Sequence, residues 1–347
     1  MTRAAIAGTG YAARVHAWAL QALGVEVAAV CGRTQAGAEA CAAELGGNAY
    51  DDLAELLERE RVDCLHVCTP NASHCGQALA ALESGVPVVC EKPLAVSTEE
   101  SARLLEAVRD LTVMTCYHVR GYPLVEHARA EVAAGAIGEV TAVHGRYLCD
   151  DLVLPGAAEG WRVDPARSGP SYVVADLGTH WLDAAEHVAG VRVAEVLADF
   201  RGEPLEHSAV LLLRFENGAT GSVVLSAAAA GRKNQLQLEV EGSRGGFSWD
   251  QETPDVLLER VAGEPTRLVV KDPAANAASA RPYARYPAGH GEGYGDAFRN
   301  LLREAYSAIE GLPHAPFPTF EAGHRGVALV EAAVESAHAG SWVAVGR

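Results

Sequence analysis

Over the first 120 residues short apolar runs alternate with stretches rich in Ala, Leu and Glu, and this rhythm constrains the fold more than any other feature. Residues 3–7, 25–31, 62–68, 86–90 and 112–116 read as strands, with helices at 11–23, 35–45, 52–60, 72–84 and 98–108 between them. Strands that are apolar on both faces need cover on both sides. The pattern therefore predicts an α/β, doubly wound parallel sheet with helices above and below it.

After residue 120 the rhythm changes. A helix at 123–134 and a strand at 140–148 precede a polar, Gly- and Pro-bearing stretch at 150–171, and a helix at 176–188 follows. Strand candidates then come in series at 193–200, 208–215, 220–226, 235–241 and 256–261, with Glu216-Asn217-Gly218 as a hairpin turn. Strands in series predict a large, mainly antiparallel sheet, so the second half is α+β. Residues 272–285 read as a loop, and helices at 293–310 and 319–339 close the chain. The expected division is a dinucleotide-binding domain at 1–121 and a substrate-binding and oligomerisation domain at 122–347.

The 347 residues suit two domains at about 150 residues each. Lys and Arg number 28 against 45 Asp and Glu, a formal charge of −17. That acidity argues against nucleic acid and against an anionic membrane face. No run of about 18 apolar residues suggests a membrane span. The first residues lack the length and cleavage site of a signal peptide, so a cytoplasmic, reducing location is expected. All eight cysteines lie between Cys31 and Cys149. In that location they read as buried thiols rather than disulfides. Cys64, His66, Cys68, His74 and Cys75 lack a C-x₂-C knuckle, and the reading assigns no metal.

Gly8-Thr9-Gly10-Tyr11-Ala12-Ala13 follows the first strand and opens the first helix. In such a turn Gly8 permits the tight bend, Gly10 lets backbone approach a pyrophosphate, and Ala13 keeps the helix close to the sheet. The helix N-terminus offers N–H groups and partial positive charge to the phosphates. An acid at the end of the second strand would favour NAD. The chain instead reads Cys31-Gly32-Arg33-Thr34, where Arg33 suits a 2′-phosphate and Thr34 offers a hydroxyl. NADP is the preferred reading, with NAD as the alternative.

Two further motifs stand at strand ends, Thr69-Pro70-Asn71 with His74, and Glu91-Lys92-Pro93. Ligands of open α/β sheets bind beyond the carboxyl ends of strands, which puts both on the nucleotide side. Farther on, Asp176 and His180 are four residues apart, one face of an α-helix, so carboxylate and imidazole address one pocket. His titrates near neutrality, as proton exchange with an alcohol requires. His187, without a partnering motif, reads as an ordinary core histidine.

Taken together, in order and spacing, these motifs make the chain resemble the Gfo/Idh/MocA family of NAD(P)-dependent oxidoreductases, which share an N-terminal Rossmann domain. The resemblance implies acid–base roles for Lys92 and His180 and a substrate-holding role for Asp176. It places Gly8, Thr9, Gly10, Tyr11, Ala12, Arg33, Thr34, Thr69, Pro70, Asn71, His74, Glu91, Lys92, Trp161 and Arg162 at the cofactor. Tyr117, His118 and His290 join Lys92, Asp176 and His180 at the substrate. Two departures touch the substrate pocket. Ser168-Gly169-Pro170-Ser171-Tyr172 stands where relatives are Gly-rich, and Tyr117-His118 where they often have Tyr-Asn. The implied reaction is hydride transfer between NAD(P) and a ring carbinol or ketone of a sugar, sugar derivative or cyclitol, by a homodimer or homotetramer. A self-recycling, NAD-dependent glycoside-cleaving enzyme and a non-enzymatic NAD(P)- or sugar-sensing regulator on the same fold remain as alternatives.

Overall fold

The computed structural model describes residues 1–154 and 160–346, and the chain divides into two compact units. The first comprises Met1–Cys116 and Phe298–Val327 and the second Tyr117–Ala297 and Ala328–Arg347.

In the first unit the expected alternation is present. β1 (Arg3–Ala7), α1 (Tyr11–Ala22), β2 (Glu26–Cys31), α2 (Gln35–Leu45), β3 (Asn48–Tyr50), α3 (Leu53–Arg59), β4 (Cys64–Val67), α4 (His74–Glu83), β5 (Val88–Cys90), α5 (Thr98–Ala107) and β6 (Val113–Thr115) follow one another. Strand pairing is parallel throughout, in the order β3-β2-β1-β4-β5-β6. The order reverses between β1 and β4, and that is where such a sheet opens a ligand crevice at its carboxyl edge. Polar caps start the helices where the sequence supplies them. Asp52 accepts from Ala54 N, Thr34 from Gly37 N and Ser97 from Glu100 N. β3 was not expected from the sequence. It is a three-residue edge strand paired on one side only, too short to show an alternating pattern.

The second unit holds α6 (Pro123–Ala133), β7 (Val140–Leu148), α7 (Pro165–Ser168) and α8 (Thr179–Ala189). Then come β8 (Val193–Arg201), β9 (Ser208–Phe215), β10 (Thr220–Ser226), β11 (Gln235–Gly242), β12 (Gly245–Asp250), β13 (Val256–Val261) and β14 (Arg267–Val270). α9 (Tyr294–Ile309), α10 (Phe320–Ala339) and β15 (Val343–Ala344) follow in the chain, with residues 298–309 of α9 and 320–327 of α10 belonging to the first unit. Nine strands form one sheet ordered β14-β13-β12-β11-β7-β10-β9-β8-β15. It is antiparallel except where β7 runs parallel to β10. β9 shows why one face is core: Ala209, Leu211, Leu213 and Phe215 point inward, and Val210 and Leu212 outward. On the inner face Trp181 of α8 is fully buried and donates its indole N–H to Gln237 O at 2.8 Å. Gly145 of β7 is required beneath it, because a Cβ there would stand 2.0 Å from Gln237 O and 2.8 Å from the indole nitrogen.

All eight cysteines are buried and unbridged. Among the described residues no helix is long and apolar enough to cross a membrane. Residues 155–159 of the polar stretch lie outside the described residues.

α6 and α8 are tied by a buried carboxylate. Glu126 accepts from Arg129 at 2.6 Å and lies 3.7 Å from His187, which gives His187 its partner. Burial alone would raise the Glu126 carboxyl, but the Arg129 guanidinium bonded to it, with His187 and Ser279 beside it, holds it at about 2. A carboxyl depressed on folding adds stability above its unfolded pKa, and this is lost as pH falls through the folded value. The window therefore runs from about 4.5 down to about 2. We expect the fall in urea-unfolding midpoint over this range to shrink in Glu126→Gln. An identical pH dependence in the two proteins would remove Glu126 from the acid response.

Candidate active site

In the first unit the loops after β1, β4 and β5 meet at the carboxyl edge. Gly8 has φ +122, and a Cβ there would lie 2.4 Å from Cys68 O, so only glycine lets the β1 and β4 ends touch. Gly10 is extended, and a Cβ built on it meets nothing within 4 Å, leaving room beside the backbone. No side chain caps α1, so its first N–H groups face that space. These features fit a dinucleotide pyrophosphate at Gly8, Thr9, Gly10, Tyr11 and Ala12. Arg33 is exposed just past β2, and the Thr34 hydroxyl oxygen is the cap of α2.

His74 does a different job from the one expected of it. It is 1% exposed, its Nδ1 is 2.7 Å from Pro93 O and its Nε2 2.8 Å from Thr69 O. It braces the Thr69-Pro70-Asn71 loop against the Glu91-Lys92-Pro93 loop instead of reaching toward a ligand. Burial lowers its pKa, and the two carbonyls oppose that shift. Glu91 also turns inward: Oε1 lies 3.1 Å from His16 Nε2, and Oε2 accepts the Lys92 main-chain N–H at 3.1 Å. Burial would raise its carboxyl, but the hydrogen bond from His16 and the nearby charge of Lys92 bring it below the usual range. Lys92 itself is half-buried at the end of β5, and the Lys92–Pro93 peptide is cis.

In the second unit the chain makes one wide π turn at Val174–Gly178 before α8 begins. The expectation of a regular α-helix from residue 176 is corrected here. A π turn closes its hydrogen bond one residue later than an α turn, so four residues no longer align Asp176 squarely with His180. Asp176 instead meets Arg162, Oδ2 to Nε at 3.2 Å, and the Arg162 guanidinium lies over the Trp161 ring at 4.8 Å. The pair named from the sequence is thus brought to the aspartate. Buried Glu206 secures the start of the turn by accepting from Ser171 Oγ, Tyr172 N and Val174 N.

His180 is 6% exposed and packs edge-on to His118, with ring centroids 4.6 Å apart. Tyr117 lies at 6.0 Å and Tyr147 at 6.4 Å from it. His118 Nε2 is 3.3 Å from Gln251 Oε1, and its ring meets Tyr294 at 4.7 Å. Tyr147 and Gln251 were not singled out in the sequence, whereas Tyr294 ends the segment 287–294 that the resemblance makes pocket-lining. The only available signal for Tyr147 was its inward register on β7. His290 stands in an exposed segment, where its main-chain carbonyl accepts from Lys271 Nζ at 2.6 Å. Nearby Arg120 clamps Asp183 of α8, Nε to Oδ2 at 2.8 Å, fixing the strand-to-helix corner that carries His118.

A parallel sheet in dinucleotide order with a glycine turn at its switch point defines a dinucleotide-binding domain of the Rossmann class. Residues 2–119 match the oxidoreductase family with an NAD-binding Rossmann fold, and residues 125–248 match the GFO/IDH/MocA C-terminal domain. The chain belongs to the GFO/IDH/MocA family. It is 32% identical over 316 residues to the uncharacterized oxidoreductase YfiI of Bacillus subtilis, covering 83% of this chain and 79% of that protein. It is 28% identical to levoglucosan dehydrogenase of Pseudarthrobacter phenanthrenivorans, covering 86% and 84%. The solved structure of an inositol dehydrogenase homolog from Azotobacter vinelandii, complexed with NADH and myo-inositol, superposes with a TM-score of 0.90 at 31% identity, covering 99% and 97%.

Proposed function

We propose that the protein transfers a hydride between NAD(P) and a ring carbinol or ketone of a sugar, sugar derivative or cyclitol. The observation that carries this reading is the placing of His180 and Asp176 around the π turn, with His118 and the Trp161-Arg162 pair beside them. The relatives that carry NADH with myo-inositol, or are named for levoglucosan, support the substrate class. Bound along Gly8 to Ala12, the dinucleotide supplies the hydride acceptor in oxidation and the donor in reduction. In oxidation His180 takes the hydroxyl proton while Lys92 hydrogen-bonds the same oxygen and stabilises the charge that develops there. Asp176, paired with Arg162, holds a neighbouring hydroxyl, and Tyr117 and His118 line the sugar. In reduction the protonated acid returns its proton to the alkoxide.

The test is a screen of sugars, glycosides and inositols with NADP and, separately, NAD, read by reduced-nicotinamide absorbance. Turnover with a polyol ring is expected. Nucleotide binding without turnover in either direction would overturn the reading in favour of a sensor.

NADP is the proposed preference, because β2 ends without an acid and Arg33 stands exposed beside the α2 cap. A charge-assisted contact contributes about 1.5–3 kcal/mol, so Arg33→Ala should weaken NADPH binding roughly 10- to 100-fold and leave NADH nearly unchanged. Equal losses in a fluorescence titration would sink the assignment.

The outward face of the nine-stranded sheet carries exposed Val210, Leu212 and Val224 side by side. We assign it to a second copy of the chain in a homodimer or homotetramer. A monomeric mass at micromolar concentration would refute this.

A further inference from the structure

Two fully buried histidines that the proposed reaction does not use lie in the first unit, one of them against Glu91, the neighbour of Lys92. His16 on α1 and His66 on β4 approach with their Nδ1 atoms 2.6 Å apart. His16 Nε2 lies 3.1 Å from Glu91 Oε1, and His66 Nε2 lies 2.8 Å from the Tyr306 hydroxyl. The other Glu91 oxygen accepts the main-chain N–H of Lys92. The direction of this chain follows from its end. A carboxylate only accepts, so His16 Nε2 carries a proton and donates it to the hydrogen bond. His16 Nδ1 then accepts from His66 Nδ1–H, and His66 Nε2 accepts from Tyr306 O–H. Burial keeps His66 well below the ordinary histidine range, which agrees with a neutral ring that donates at one nitrogen and accepts at the other. Every link is satisfied, and hydrogen bonds in such a buried run reinforce one another.

We infer that His16, backed by His66 and Tyr306, is a positioning residue for Lys92. His16 holds the Glu91 carboxylate ionised and in place, and Glu91 holds the backbone from which Lys92 projects. On the other side His74 grips the Pro93 carbonyl. Both neighbours of Lys92 are thereby fixed by buried histidines, and only its side-chain torsions remain to be set. The inference deepens the proposed function and rests on Lys92 as an acid–base group. Because misplacement by about 1 Å can cost about 10²-fold in rate, the effect belongs in turnover and not in sugar binding.

The experiment compares His16→Leu, which fills the space but ends the chain, with His16→Gln, whose amide donates to Glu91 and accepts from His66. His16→Leu is expected to lower kcat by roughly 30-fold or more, with the sugar KM and nucleotide affinity near wild type. His16→Gln should recover most of the loss. Wild-type kcat in a folded, nucleotide-binding His16→Leu protein would overturn the inference, as would a Gln variant no faster than the Leu variant. Should His16→Leu fail to fold, Tyr306→Phe removes only the far donor and should show a smaller loss in kcat alone. Unchanged kcat there would count against the chain. A second readout does not depend on turnover. Acetylation of Lys92, followed peptide by peptide by mass spectrometry, should quicken in His16→Leu and return toward wild type in His16→Gln. Unaltered labelling would overturn positioning even if turnover fell. If the wild-type protein oxidises no sugar, the dehydrogenase reading fails on its own, and the labelling still decides the role of His16.

Discussion

Lys92→Met is expected to lower turnover by about 10²- to 10⁴-fold while leaving the dinucleotide dissociation constant near wild type. Methionine keeps the unbranched stem of lysine and removes only the ammonium. Two contacts that shape this loop run through its backbone, where Glu91 accepts from the Lys92 main-chain N–H and His74 meets the Pro93 carbonyl. The substitution should therefore leave the fold and the cofactor turn intact. What it removes is a donor to an oxygen whose negative charge grows as the proton leaves, an interaction stronger in the transition state than in the bound alcohol. Steady-state kinetics with the best sugar from the screen would read this as a fall in kcat and kcat/KM together. A loss confined to KM would make Lys92 a binding residue, and an unchanged kcat would remove it from the chemistry.

The parallel sheet was legible because its central strands are apolar on both faces, which helices of polar outer face cannot imitate. β1, β4 and β5 announce themselves that way, and each ends in a motif that the ligand edge requires. β3, β14 and β15 were not legible, and their reason is shared. Each pairs on one side only, so one ladder holds it and no alternating pattern is needed. β12 opens on Gly245-Gly246, and glycine in a strand interior weakens the local signal. Its pairing with β13 instead depends on close backbone approach, since a Cβ on Gly245 would lie 2.1 Å from Arg260 O.

The site divides in the same manner. Glycines at a pyrophosphate turn, a lysine at a strand end and an Asp–His pair are legible because the chemistry demands those residue types within a few positions of one another. The π turn at Val174–Gly178 is not, since periodicity arguments assume 3.6 residues per turn and a single wide turn leaves no compositional mark. The buried chain that ends on Glu91 is less legible still. His16 and His66 are 50 residues apart, and His66 and Tyr306 are 240 apart, so only the topology of the first unit joins them. His74 and Glu91 show the opposite error. Both belong to a recognisable motif, yet their polar atoms point into the protein and set the loops instead of meeting a ligand.

His180→Asn carries the second large effect, and its pH dependence separates proton transfer from mere packing. The imidazole is buried against His118, with Tyr117 and Tyr147 close by, and Asn is small enough to enter that space without strain. If His180 accepts the hydroxyl proton, the variant must leave that proton to solvent, and kcat for oxidation should fall by about 10²- to 10⁴-fold. The residual rate should climb steadily with pH, where the wild-type enzyme levels off once its base is deprotonated. His118→Asn provides the comparison. It exchanges the imidazole for an amide and, on this reading, alters the sugar KM far more than kcat. Because the two rings touch, the double variant should lose less than the product of the single losses, as expected for residues acting in one unit. A His180→Asn enzyme with wild-type kcat and an unchanged pH profile would move the proton to another group, and His118 would then be the first to examine, since it is the imidazole packed against His180.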